Sequence, residues 1–414
     1  MSLTRSRGAS TSSAFGAQYF FFVWLSGLIW HLTRWVVAFL GTYLVNELTG
    51  SPRLVQLAGT FLYAPLLLGG VLGGVVSDRF DRLVTVRVQL AALIPLSLLV
   101  GVMVSADRAP VWLIYLFMFL VGIGWVTDMT SRRALIFDLV GDKRIDHAMA
   151  MESISLSVGM VLGALFGGSA VEAVGVGSAY FFIAGLLLVA LVMLAPVRNP
   201  SAGHQQTAST GTASASSAIK DLVDGFRMLR AQRAVMSILG VTAIANFFLF
   251  AYFPIIPVVA ESLNASPILV GLLSAGTGIG MMIGSLVMAR LAPTRRGLMH
   301  VIGLAFALVL LIPFGLGTSY GFVLAALICS GIGSGLFGST QTTLVMAAAP
   351  VESRGRALGL LSMAIGALPV GMYVLGEMAE RIGVPNALTL NAALGLIALA
   401  AWTVRRPEVR RMTT

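Results

Sequence analysis

From residue 19 to residue 404 the chain alternates long apolar runs with short polar breaks. Each run approaches the roughly 20 residues that an α-helix needs to cross a hydrocarbon core about 30 Å thick. The pattern predicts spans near 19–46, 53–77, 83–105, 110–131, 148–171, 177–196, 234–260, 267–291, 298–317, 320–346, 357–379 and 384–404. Backbone groups in lipid have no water to bond, so single-chain spans of this length must be helical. The expected class is an all-α integral membrane protein with twelve transmembrane helices.

One long polar stretch, Arg198 to Ser217, divides the spans six and six. Behind it, Ile219, Leu222, Val223, Phe226 and Leu229 recur at helical spacing among charged residues, the pattern of a helix lying on a membrane surface. The predicted organisation is a tail (1–18), a six-helix bundle (19–196), a linker with an amphipathic helix (197–233), a second bundle (234–404) and a tail (405–414). The halves also repeat. Gly122-Ile123-Gly124 returns as Gly331-Ile332-Gly333, Leu135 as Leu344, Ala148 as Ala357 and Gly167 as Gly376, a shared offset that predicts two pseudo-symmetric bundles. Duplicated bundles place a solute site near the midplane, at their interface.

Of 414 residues, 57% are hydrophobic and 11% are charged, less than half the charge of an ordinary soluble domain. The net charge of +10 would suggest nucleic acid in a soluble protein, but its distribution is a topology signal. With the N-terminus inside, all but Arg34, Arg53, Arg108 and Arg381 of the 27 Lys and Arg fall in cytoplasmic segments or at cytoplasmic helix ends. Both termini are therefore expected in the cytoplasm, with no nucleic-acid partner. The single cysteine, Cys329, sits within a span and has no partner for a disulfide. Residues 1–18 contain Arg5 and Arg7, but the apolar run behind them is too long for a signal-peptide core.

Between spans two and three stands Gly74-Val75-Val76-Ser77-Asp78-Arg79-Phe80-Asp81-Arg82, preceded by Gly70 and Gly73. This loop resembles the signature of the major facilitator superfamily, G-x-x-x-D-R/K-x-G-R-R/K, with Asp81 in place of the glycine. The resemblance implies that Asp78, Arg79 and Arg82 form a gating latch at the cytoplasmic face. The corresponding loop after span eight has Met288 where the acid would stand, so the latch is expected on one side only. In span five, Gly159, Gly163, Gly167 and Gly168 are similar to the superfamily's antiporter motif, with Ala164 replacing its proline. Export and directionless helix packing are both open readings of that stripe.

The segments 131–141, 350–356, 221–227 and 47–52 sharpen the likeness toward the enterobactin-exporter and macrolide-efflux branch of drug:proton antiporters. That likeness covers most of the chain. It implies proton-coupled efflux of amphipathic small molecules of drug, macrolide or siderophore type, from a monomer in the cell membrane.

Charged residues within spans are functional candidates because their desolvation is costly. His31 and Arg34 share a face of span one with Gly27 and Ala38. Arg34 either meets an anionic substrate group or makes a structural ion pair; His31 either titrates or is a hydrogen-bonded structural histidine. Asp128 in span four and Glu152 in span five are the proton-coupling candidates. Arg82 is the expected partner of Asp128, whereas Glu152 has none that the sequence reveals. Trp125, Asn246, Phe250, Tyr252 and Gln341 complete a candidate substrate lining, and Glu377 is placed at an outer interface.

No phosphate loop, H-E-x-x-H or G-x-S-x-G occurs, and G-x-G-x-x-G at 333–338 lies inside a membrane helix with no strand before it. Neither an enzyme nor a bound cofactor is expected. A lysophospholipid flippase of the same fold and a non-transporting receptor or scaffold are the alternatives.

Overall fold

A computed structural model describes residues 13–68, 81–142, 144–198, 232–291 and 293–413. Among them are ten helices long and apolar enough to cross a membrane; dividing one of these at a kink and adding one shorter helix gives twelve helical segments. The first half contains α1 (Phe20–Thr49), α2 (Pro52–Tyr63, continued as a 3-10 turn over Ala64–Leu68), α3 (Arg82–Ser105) and α4 (Val111–Val140). A continuous stretch, Ile145–Met193, follows. At 49 residues it would extend over 70 Å as one rod, more than twice a membrane core. Gly175, at φ 81°, breaks it, giving α5 (145–174) and α6 (176–193). Only glycine takes this left-handed geometry without strain.

The second half contains α7 (Arg233–Ser262), α8 (Pro267–Leu291), α9 (Arg296–Leu316), α10 (Tyr320–Ala348), α11 (Arg354–Ile382) and α12 (Val384–Arg405). Helix α7 loosens through a π turn at Ala245–Leu249 and a 3-10 turn at Phe250–Ile255 containing Pro254. Proline removes a backbone donor from a helix, and loosened turns of this kind relieve the resulting clash. Apart from α2, whose predicted remainder runs past residue 68, and α4, which continues to Val140 through the segment expected to join spans four and five, the helices coincide with the predicted spans to within several residues.

The repeat read from the sequence is also a repeat of packing. A side chain at Gly122 of α4 would strike the Leu62 carbonyl of α2, and one at Gly331 of α10 would strike the Thr277 carbonyl of α8. Gly124 meets α3 at Gln89, and Gly333 meets α9 at the Gly303 carbonyl. Each pair of contacts maps helix n onto helix n + 6. Small residues let membrane helices approach backbone to backbone, where packing replaces the hydrophobic drive that lipid cannot supply. Large apolar side chains such as Val88, Trp112, Val192, Phe322 and Ile397 remain exposed around the outside, as a lipid-facing surface requires.

Asp78, Arg79, the glycines at 70, 73 and 74, the linker and its amphipathic segment lie outside the described residues. So do residues 1–12.

Candidate functional site

The two bundles meet along α2 against α11 and α7, and along α5 against α8. Among the described residues, the hydrogen bonds that join the bundles lie between mid-depth and the face opposite the chain termini, here the distal face. Asn46 donates to Glu261 at 2.6 Å, and Ser51 donates to Glu380 at 2.8 Å. Glu172 accepts from the Ser266 hydroxyl and the Ile268 amide, both at 3.0 Å. Gln56 donates to the Ala251 carbonyl, and Glu377 lies 3.9 Å from Arg53. Glu377, placed by sequence at an outer interface, thus belongs to this seam with Glu172, Glu261 and Glu380. Below it, Gly59 of α2 admits the Pro254 ring. The structure is therefore closed distally.

Beneath this closure a cavity of about 50 Å³ lies between the bundles. Trp35, Thr42 and Tyr63 contribute from the first bundle, with Phe253, Pro254 and Ser274 from the second. Arg34 sits beside Trp35 and is only 2% exposed. Its guanidinium carbon stands 4.1 Å from the ring centre of Trp125 and 4.6 Å from that of Trp35. Tyr63 is its polar neighbour, and the Tyr63 ring meets Trp125 edge-on at 5.5 Å. Nε and Nη1 of Arg34 have no acceptor among the described residues. The structural ion pair left open by the sequence is thus not formed there.

Glu152 does have a partner. His31 Nε2 lies 2.9 Å from Glu152 Oε1, and the residues are 3% and 4% exposed. The sequence hid this pair because 121 positions separate its members. Gly159 creates the room: a Cβ there would press on the His31 backbone carbonyl carbon at 2.8 Å. His31 Nδ1 and Glu152 Oε2 have no protein partners among the described residues.

The expected pairing of Asp128 with Arg82 is not found. Asp128 is held by Arg132, one turn along α4, through Nε at 2.9 and 3.0 Å and Nη2 at 2.7 Å. Arg132 also donates to the Val23 carbonyl at 3.0 Å, over Gly27, and so ties α4 to α1. An acid and an arginine four residues apart face one another on a helix, and that spacing was the signal available for Arg132. Arg82 instead joins Asp138 at 2.5 Å. The loop arginine still anchors to α4, but near its end, where a partly exposed pair avoids the cost of burying two ions.

Other predicted lining residues separate. Tyr252 is fully buried inside the second bundle, its hydroxyl 2.9 Å from Thr277 and its ring 5.5 Å from Phe314. It packs helices rather than facing the cavity, which its neighbours Phe253 and Pro254 line. Asn246 donates to the Thr242 carbonyl and Gln341 to the Thr242 hydroxyl, an α7–α10 link away from the cavity wall. Phe250 packs at a tilt against Phe253 and Phe337. The glycine stripe divides between partners. Gly159, Gly163 and Gly167 seat α1 at His31, Trp35 and Phe39, whereas Gly168 seats α8 of the opposite bundle at Pro267, Ile268 and Gly271. Ala164, where the motif has proline, abuts Gly271 from its carbonyl.

A family model, the Major Facilitator Superfamily, matches residues 23–367 and, again, 238–414. The chain belongs to the major facilitator superfamily. As a member it is a multi-pass membrane transporter, built as an all-α fold of two six-helix bundles. It is 22% identical over 412 residues to macrolide efflux protein A of Streptococcus pyogenes, covering 95% of this chain and 97% of that one. Its fold is shared with an inward-facing, unoccupied bacterial homologue of the human lysosomal transporter Spinster, at TM-score 0.68 and 17% identity, covering 95% and 96% of the two chains. A peptide transporter superposes at TM-score 0.72 and 13% identity, covering 96% of each chain. For this facilitator, the distal seam and the cavity below it belong to one closed arrangement of the bundles.

Proposed function

We propose that this facilitator exports amphipathic small molecules from the cytoplasm in exchange for protons. The observation that carries the proposal is the buried His31–Glu152 pair, which joins α1 to α5 one helical turn along α1 from the cavity-lining Trp35. Ionisable residues inside a membrane are costly to bury and mark proton or ion pathways by default, and a histidine hydrogen-bonded to a carboxylate supplies both a donor and an acceptor for a proton. Asp128, already claimed by Arg132, serves as a structural anchor in this reading. Substrate contacts come from Arg34, Trp125, Trp35 and Phe253, with Asn246, Gln341 and Phe250 acting through α7–α10 packing.

The termini are cytoplasmic in this reading, by the distribution of Lys and Arg, and the membrane is the cell membrane. The bundles are 19–196 and 234–404, joined by 197–233 and flanked by tails 1–18 and 405–414. Asp78 and Arg79 join Arg82 in a cytoplasmic latch. The distally closed arrangement is then the inward-accessible state, and opening the Glu172, Glu261, Glu377 and Glu380 seam releases substrate outside. The name of the Streptococcus relative supports a macrolide-like, amphipathic cargo. A lysophospholipid flippase is the second reading, favoured by an apolar groove of about 450 Å³ between α3 and α4, lined by Val84, Val88, Ala92, Leu120 and Ile123.

Proteoliposomes with an imposed pH gradient test the reading, using a macrolide, a catecholate siderophore and a lysophospholipid as separate probes. Gradient-driven movement of one of the first two, abolished in Glu152→Gln and reduced in His31→Gln, is expected. Equal gradient-driven movement in wild type and Glu152→Gln refutes the coupling role. Movement of the lysophospholipid alone favours the flippase, and movement of none favours a receptor.

A further inference from the structure

We infer that the substrate site is built for an organic anion: an apolar body whose carboxylate or phosphate docks on Arg34. The inference rests on reading the cavity as the substrate site, but not on proton coupling.

Arg34 carries a full charge at 2% exposure, and desolvation of such a charge inside a membrane protein is normally offset by a paired acid. Among the described residues, the buried carboxylates near it are already engaged. Asp128, which reaches Arg34 electrostatically, is gripped through three contacts by Arg132, and Glu152 is bonded to His31. The two tryptophans flanking Arg34 stabilise a cation through their ring faces, but they supply no acceptor for N–H groups. Nε and Nη1 have none among the described residues. A guanidinium stacked in this way is held rigid, with a planar fork suited to an oxyanion.

The cavity beside it has matching chemistry. Trp35 and Tyr63 belong both to the surroundings of Arg34 and to the cavity wall. The rest of that wall is apolar or hydroxyl-bearing, with Phe39, Phe253 and Ser274 among its members, and among the described residues it contains no acidic side chain. A cation at the margin of an acid-free apolar chamber favours a negative head with a hydrophobic body and disfavours cationic amphipaths.

Equilibrium dialysis of the full-length protein in phosphatidylcholine nanodiscs, corrected with empty nanodiscs, tests this with matched ten-carbon probes: decanoate, decyl phosphate, decanol and decyltrimethylammonium. Wild type is expected to bind one or both anions at least about tenfold more tightly than the cation, the value of one charge-assisted contact. Their ranking separates a carboxylate from a phosphate cargo. Arg34→Gln is expected to bring that ratio to about one while decanol affinity stays within about twofold. Arg34→Lys, keeping the charge without the fork, falls between. Equal binding of all four probes by wild type, preference for the cation, or an anion preference surviving in folded Arg34→Gln overturns the inference and leaves the cavity as an amphipath site. Saturable binding of none overturns both. The wild-type ranking decides even if Arg34→Gln does not fold.

Discussion

Gly168 offers the sharpest test of how the bundles close. It lies on α5 and faces α8 of the other bundle, where an added Cβ would overlap the Pro267 carbonyl and stand 3.1 and 3.2 Å from the α-carbons of Ile268 and Gly271. All three neighbours are backbone atoms, so none can swing aside as a side-chain tip would. Gly168→Ala therefore pushes α5 and α8 apart along the distal seam. Overpacking of this kind costs about 1–3 kcal/mol. Because these contacts cross between bundles, the cost falls on the distally closed state alone. At about 1.4 kcal/mol per decade, the closed-to-open ratio falls between roughly 5- and 150-fold.

Gly163→Ala is the control. Its added methyl would also clash, against Leu32 and Trp35 at 2.8 and 2.5 Å, but within the first bundle, so it lowers thermal stability without biasing either state. Spin labels at Arg108 and Asn386, both exposed near the distal ends of opposite bundles, report the separation by double electron–electron resonance after Cys329→Ser. Gly168→Ala should add a longer-distance population that Gly163→Ala lacks. Identical distance distributions in wild type and folded Gly168→Ala would refute the assignment of this contact to a closed state.

Asp128→Ala strands the buried Arg132 charge and should lower stability by about 3–5 kcal/mol, whereas Asp128→Ala with Arg132→Met should recover most of it; thermal unfolding in nanodiscs reads both. Tyr252→Phe removes only the hydroxyl bonded to Thr277, so a melting shift equivalent to about 1 kcal/mol is expected with unchanged substrate affinity. A large affinity loss would return Tyr252 to the cavity wall.

The sequence by itself determined the architecture. Apolar runs long enough for a membrane, a polar stretch between the sixth and seventh, and a shared offset between halves are local or periodic properties, and a bilayer leaves a chain with that pattern few other folds. The glycines at 122 and 331 were legible as a repeat between the halves, but the helices they touch were not, because a small residue permits close approach without naming the neighbour. His31, Arg34, Asp128 and Glu152 were identifiable as candidates because buried charge is rare. Their pairing was not. His31 with Glu152 and Arg82 with Asp138 are joined across helices 121 and 56 positions apart, and helix rotation and depth decide which side chains meet. Tyr252 faces inward and Phe253 faces the cavity for the same reason: in the 3-10 turn that holds them, neighbouring residues differ by about 120° in direction. Arg132, four residues from Asp128, was within reach of local reasoning. The distal carboxylate seam was not, since bringing Glu172, Glu261, Glu377 and Glu380 to one edge depends on how two separately folded bundles close on each other.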